Sequence, residues 1–359
     1  MKKAIVLTNG ILHTGDAKTA HGLIRESGRF EIIGVVDHAH AGQDAGEVLD
    51  GKQRGIPVVE GIAEGVALEP AYCIIGVATS GGYLPASLLE DIRYAVSYGI
   101  SVVNGLHDYL SEHEDIVALA TATGAELIDI RKPKKFSQLK FWTGEILRLT
   151  TPVVAVMGTD CALGKRTTTR FILHEGEQAG LNVAMIYTGQ TGWLQGGEYG
   201  FIFDSTLNDF VSGELEDAIL RCAKETRPDV ILLEGQSALR NPSGPGGAEF
   251  LVSGQAKHVI LVHAPKRKFY EHTPEWGEIP SLASEIELIA HYGSKVIAVA
   301  LNTEHCTPEE ARTYKEALAD ELGLPVFLPL QEGCAGIIPL LKDIIAERKT
   351  DEHHSSPAL

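Results

Sequence analysis

The sequence predicts an α/β protein built on parallel sheets. Short apolar runs rich in Val and Ile recur along the chain, and longer stretches with helical spacing separate them. Runs that stay apolar at every position suit strands covered by helices on both faces, where neither strand face meets water. Length supplies the division: at roughly 100 to 200 residues per domain, 359 residues predict two domains.

In the first part, strands are expected over residues 4–7, 31–36, 73–77, 101–103 and 126–130, with helices over 17–27, 85–98 and 112–123. Strand and helix alternate, so this half reads as Rossmann-like. Its first turn, Thr8-Asn9-Gly10-Ile11-Leu12-His13-Thr14-Gly15, lacks the Gly-x-Gly-x-x-Gly of a dinucleotide site. Asp37 ends the second strand, where a ribose-binding acid would sit; an acid there serves equally as a cap or turn residue. The basic, Pro-interrupted segment from Arg131 to Phe136 reads as a connector, and the first domain is expected to span residues 1–148.

A new cycle begins with the strongest strand signal in the chain, residues 152–157, and further strands are expected over 183–187, 230–233, 258–262, 295–301 and 326–328. These give a second α/β domain over 149–347 with a mostly parallel sheet. Residues 348–359 are polar and contain Pro357, so they are expected to form a flexible tail.

Composition excludes several classes. The 48 acidic residues exceed the 31 basic ones, and a net charge of -17 supplies no positive field for a nucleic-acid backbone. One small positive pocket is still compatible with it. Cys73, Cys161, Cys222, Cys306 and Cys334 are odd in number and show no zinc-ligand spacing, which fits a reducing cytoplasm. The apolar run after Lys2-Lys3 is too short for a signal-peptide core, and no stretch approaches the roughly 20 apolar residues of a membrane span. A cytoplasmic protein with no membrane partner is expected, and a homodimer is the default from base rates.

The chemistry concentrates after the Val-rich strand. Gly158-Thr159-Asp160-Cys161-Ala162-Leu163-Gly164-Lys165-Arg166-Thr167-Thr168 places a glycine-bounded loop and a Lys between a strand and a helix, the order of a P-loop. Backbone N–H groups of such a loop and the helix N-terminus face phosphate oxygens, and the Lys ammonium reaches the outer ones. Two departures stand out. Five residues separate the glycines instead of four, with Thr159 where the first glycine would normally stand, and Arg166 replaces the hydroxyl that usually follows the Lys and completes a Mg²⁺ shell. No metal is therefore expected, unless Thr167 and Glu234 hold Mg-ATP. Cys161 reads as a small loop residue or, alternatively, as a nucleophile activated by the helix terminus.

Other candidates lie at strand ends. Glu234, in Leu233-Glu234-Gly235-Gln236-Ser237, puts a carboxylate where an open parallel sheet presents catalytic groups. The loop Thr188-Gly189-Gln190-Thr191-Gly192-Trp193 reads as a tight turn or as a switch responding to bound phosphate. Asp209 is a candidate for proton transfer or amine binding, and Asn302 ends a late strand where such folds recognise a base. His263 precedes Lys266-Arg267-Lys268, a cluster that could supply the positive pocket.

Taken together, the string at 156–168, Tyr-Thr-Gly-Gln-Thr-Gly at 187–192, Glu-Gly-Gln-Ser at 234–237 and Leu-Asn-Thr at 301–303 resemble the DUF1611 family. Asn104-Gly105-Leu106-His107-Asp108 and Ile128-Asp129-Ile130-Arg131 resemble that family's Rossmann-like N-terminal domain, so the resemblance covers nearly the whole chain. For DgcN-type members it implies N-acetylation of D-glutamate by acetyl-CoA, with Gly158, Thr159, Asp160, Cys161, Ala162, Gly164, Lys165, Arg166, Thr167, Thr168 and Asn302 around the coenzyme A phosphates. Arg166 then adds a second cation for a multiply phosphorylated ligand. Glu234 or Asp209 becomes the base, and Gln190, Thr191, Gln236, Arg240 and Arg267 become candidates for holding the amino acid. The P-loop half is also similar to dethiobiotin synthetase, which implies instead a Mg-ATP-dependent enzyme. A nucleotide-binding regulator without catalysis is the third alternative.

Overall fold

The computed structural model describes residues 1–355. In chain order the strands are β1 (Lys2–Leu7), β2 (Phe30–Val36), β3 (Val58–Val59), β4 (Tyr72–Ile75), β5 (Ser101–Asn104), β6 (Leu127–Asp129), β7 (Val153–Gly158), β8 (Val183–Tyr187), β9 (Tyr199–Gly200), β10 (Val230–Glu234), β11 (His258–His263), β12 (Lys295–Leu301) and β13 (Val326–Phe327). The helices are α1 (Lys18–Arg25), α2 (Ala45–Asp50), α3 (Ile62–Ala67), α4 (Ala86–Ser97), α5 (Glu114–Thr123), α6 (Lys165–Gln178), α7 (Gln190–Leu194), α8 (Asn208–Thr226), α9 (Ala248–Val252), α10 (Leu282–His291), α11 (Pro308–Leu322), α12 (Pro329–Glu332) and α13 (Ile338–Ser355). The protein is α/β, as the alternation predicts.

The chain divides into two compact units. Residues Met1–Lys134 and Gly189–Gly197 form the first, and Lys135–Thr188 with the chain from Glu198 onward form the second. The first is a six-stranded parallel sheet in the order β3-β2-β1-β4-β5-β6, the arrangement of doubly wound Rossmann folds. Strand β1 shows why its sequence is apolar at every inward position. Ile5 and Leu7 pack with Leu88 and Val102 on one face, while Ala4 and Val6 pack with Ala20 and Val35 on the other.

Asp37 is not a ribose ligand in this arrangement. Its Oδ2 accepts from the Thr8 hydroxyl at 2.7 Å and the Leu12 amide at 3.0 Å, and its Oδ1 lies 2.8 Å from His40 Nδ1. Although burial opposes ionisation, these hydrogen bonds hold its pKa below the usual carboxylate value. The acid fixes the turn after β1, which is the turn role open to it from the sequence.

The second unit is a seven-stranded parallel sheet in the order β13-β12-β11-β7-β10-β8-β9. Its central strand β7 is buried throughout, with Val153, Ala155 and Met157 in one core and Val154 and Val156 in the other.

Three expectations differ from the structure. Residues 135–148 group with the second unit, because two acids buried on α8 need donors: the Lys140 amide bonds Glu214 at 3.0 Å and the Ile146 amide bonds Glu216 at 3.1 Å. The segment 189–197 leaves its own sheet to join the first unit. There the Gln195 side-chain amide donates to the Gly22 carbonyl at 2.8 Å and to Glu26 at 3.1 Å, satisfying carbonyls at the end of α1, and Leu194 enters the core beside Val6. Finally, α13 continues to Ser355 where a frayed tail is expected from 348; residues 356–359 of that expectation lie outside the described residues. Among the described residues, no helix is long and apolar enough to cross a membrane.

Candidate functional site

The phosphate-type loop grows out of β7, which is paired on both sides by β11 and β10, and runs into α6. Gly164 caps α6 in the left-handed region at φ 89°, a conformation that L side chains resist. Ala162 shares it at φ 51°. Neighbouring strand ends fasten the loop. The Thr159 amide donates to the Val262 carbonyl at 3.0 Å, the Thr159 hydroxyl lies 2.9 Å from His263 Nδ1, and the Asn302 side-chain amide donates to the Leu163 carbonyl at 3.2 Å. Asn302 therefore supports the loop backbone. Burial, with Arg267 adding to it, pushes His263 down to about 4, so the imidazole beside Thr159 is neutral at physiological pH.

Asp160 is fully enclosed. Its Oδ2 accepts from Arg267 Nη1 at 2.9 Å and from the Glu271 amide at 2.8 Å, and its Oδ1 accepts from Asn241 Nδ2 at 2.8 Å. Arg267 also donates to the Cys161 carbonyl at 2.7 Å and twice to Glu304, at 2.7 and 2.8 Å. A guanidinium so engaged braces the loop instead of meeting a substrate carboxylate. The other two cations of that cluster are likewise paired, Lys266 with Glu310 at 2.7 Å and Lys268 with Glu278 at 2.9 Å, so 266–268 is not an open positive pocket.

The ammonium of Lys165 is buried and donates to the Asp160 carbonyl at 2.6 Å and the Ser237 carbonyl at 2.8 Å. Both partners are main-chain carbonyls, one in the loop and one after β10. Arg166 and Thr167 follow on the first turn of α6, both half-buried, and Thr168 is buried with its amide bonded to the Gly164 carbonyl at 2.9 Å. Cys161 is not an activated thiol. Burial raises its pKa above the ordinary value, and the lowering influence of Lys165 is the smaller effect. Ligand atoms of Asp160, Cys161 and Glu271 come within 4.8 Å of one another, and Asp160 there already accepts from three donors.

Glu234 ends β10 in register with Val156, directly beside the start of the loop. Gly235 allows this approach, since a Cβ there would stand 2.4 Å from the Val156 carbonyl oxygen. The Glu234 carboxylate is buried and accepts from the Thr188 amide at 3.2 Å. Burial raises its pKa, and Arg166, then the Thr188 amide, Lys165 and Arg170, oppose the rise. A buried carboxylate with raised basicity beside a phosphate-type loop is equipped to take a proton.

Arg240 donates to Glu285 at 2.8 Å and to the Ser284 hydroxyl at 2.9 Å, compensating a buried acid. Gln236 is half-buried in the loop after β10. Asp209 is exposed on the first turn of α8, and none of the described hydrogen bonds or ion pairs joins it to the loop. Gln190 and Thr191 belong to the first unit, where Gln190 accepts from Arg131 at 3.0 Å and Thr191 lies 3.2 Å from the Thr19 hydroxyl. Sequence reasoning missed the supporting residues Asn241, Glu271 and Glu304. Only the turn-rich run Asn241-Pro242-Ser243-Gly244-Pro245 signalled a loop at that strand end.

Residues 140–338 match the family model described as the DUF1611_C P-loop domain, and residues 38–133 match the DUF1611_N Rossmann-like domain, both of unknown function. A protein named D-glutamate N-acetyltransferase from a Pseudoalteromonas species is 30% identical over 287 residues, 77% of this chain and 83% of its own. One of the same name from Tritonibacter scottomollicae is 30% identical over 275 residues, 75% of this chain and 80% of its own. The crystal structure of a DUF1611 family protein from Anabaena variabilis superposes with a TM-score of 0.87 at 27% identity, covering 97% of this chain and 100% of that one. The chain belongs to the DUF1611 family.

Proposed function

We propose that the protein is an N-acetyltransferase that moves the acetyl group of acetyl-CoA to the amino group of D-glutamate or a related D-amino acid. The observation that carries this reading is the buried, basic-shifted Glu234 carboxylate at the end of β10, beside a phosphate-type loop, in a chain whose relatives bear that name. The loop amides, Lys165 and Arg166 hold the coenzyme A phosphates.

Glu234 removes a proton from the substrate ammonium, and the freed amine attacks the thioester carbonyl carbon. Collapse of the tetrahedral oxyanion breaks the C–S bond and releases coenzyme A, whose sulfur takes the second proton that the attacking nitrogen loses as the amide forms, while Glu234 passes the first to solvent. The thioester supplies the driving force, so neither ATP nor a metal enters the balance. Incubation with acetyl-CoA and a panel of D- and L-amino acids, followed by release of free thiol, tests the acceptor. D-glutamate is expected to give the highest kcat/KM; thiol release with none of the panel would refute the reading.

A further inference from the structure

Lys165 does not orient itself. Its ammonium is held by two main-chain carbonyls, and one of them belongs to Asp160, whose side chain is among the most tightly fastened in the second unit. The fastening comes from loops after three different strands: Asn241 after β10, Arg267 and the Glu271 amide after β11, and Glu304, which grips Arg267, after β12. Arg267 adds a bond to the next carbonyl, that of Cys161.

The backbone around these contacts is strained. Ala162, Ser237, Glu271, His272 and His305 adopt left-handed conformations without being glycine, at φ 51°, 47°, 48°, 61° and 60°. Such conformations persist where the surroundings over-determine them. Charge matters too. A bare carboxylate inside a phosphate-type loop would repel an anion, and Arg267 cancels it. A buried ion pair is a poor device for stability alone, because an apolar pair of similar volume serves as well.

We propose that Asp160 and Arg267 are positioning residues: by fixing the Asp160 carbonyl and neutralising its carboxylate, they aim the Lys165 ammonium and keep the loop receptive to a polyphosphate. This rests on the proposed reading of the loop as a phosphate site, and it adds the residues that set its affinity without touching the ligand.

The test uses the full chain and two probes, coenzyme A and inorganic pyrophosphate, titrated calorimetrically into wild type and Arg267→Met, which loosens Asp160 and leaves its carboxylate bare. The expected result is a rise of about tenfold or more in Kd for both probes and a matching rise in KM for acetyl-CoA. The kcat and the KM for the amine should stay within about twofold of wild type. Asn241→Ala, which removes a neutral donor from Asp160 and leaves every charge in place, is expected to raise Kd by about threefold, and it carries the test if Arg267→Met does not fold. Unchanged Kd in the variant that folds would overturn the proposal, as would losses falling equally on kcat and both KM values. If wild type binds pyrophosphate but not coenzyme A, the cofactor reading fails while the positioning claim is still decided through pyrophosphate. If it binds neither, both are overturned.

Discussion

Thr188 grips Glu234 at two points: its amide donates to the carboxylate Oε2 at 3.2 Å, and its hydroxyl donates to the Glu234 carbonyl at 2.7 Å. The ends of β8 and β10 are thereby tied at the proposed base. One residue later the chain departs to join the first unit.

If Glu234 is the base, Glu234→Gln should lower kcat by roughly 10²- to 10⁴-fold while leaving coenzyme A binding intact. In wild type, kcat/KM should fall as pH drops through the raised Glu234 pKa, giving an acid limb above the ordinary carboxylate value of 4.5. Arg166 is the strongest influence opposing that rise, so Arg166→Met should move the limb to still higher pH. Steady-state pH profiles of the three proteins decide this, and a limb that stays put in Arg166→Met would speak against the assignment.

Lys165→Met should weaken coenzyme A binding by about 10- to 100-fold, the usual worth of a charge-assisted contact. Because the ammonium bonds the Asp160 and Ser237 carbonyls, the KM for D-glutamate should change less than the coenzyme A affinity. Equilibrium titration and initial rates read the two quantities separately.

Arg240→Met should act on stability and not on substrate binding. It would leave the buried Glu285 without its cation and cost roughly 3 kcal/mol, seen as a lower urea midpoint with unchanged m-value. A large rise in the KM for the acceptor at unaltered stability would restore Arg240 as a substrate ligand.

His263 makes a pH-dependent contribution of definite sign. Its pKa falls from 6.5 to about 4 on folding, so between those values the unfolded chain holds a proton that the folded one does not. Stability should therefore decline as pH drops from 6.5 towards 4, by at most about 3 kcal/mol from this residue. His263→Gln should flatten that decline in urea unfolding at pH 7 and pH 4.5, and an equally steep decline would show that other groups cause it.

The parallel sheets were legible because buried strands such as β1 and β7 must be apolar on both faces, a pattern that survives in one dimension. β3 and β9, two residues each, were not. The phosphate-type loop and Glu234 were legible because glycine, lysine and strand-end carboxylate sit at fixed places along the chain. Partnerships were not. Arg267 and Arg240 look alike as spare cations in the sequence, and only the fold brings Asp160 and Glu304 to one and Glu285 to the other. Gln190 and Thr191 follow a strand of the second unit, yet their contacts with Arg131 and Thr19 depend on a chain excursion that no local pattern encodes.

Transfer of acetyl to D-glutamate is read by mixing the protein with [¹³C₂-acetyl]-CoA and D-glutamate in buffer containing EDTA and no nucleotide, then following products by mass spectrometry. N-acetyl-D-glutamate carrying the label is expected, formed in equal amount with free coenzyme A and roughly 10²- to 10⁴-fold more slowly in Glu234→Gln. Product that forms only when ATP and magnesium are added would contradict that expectation.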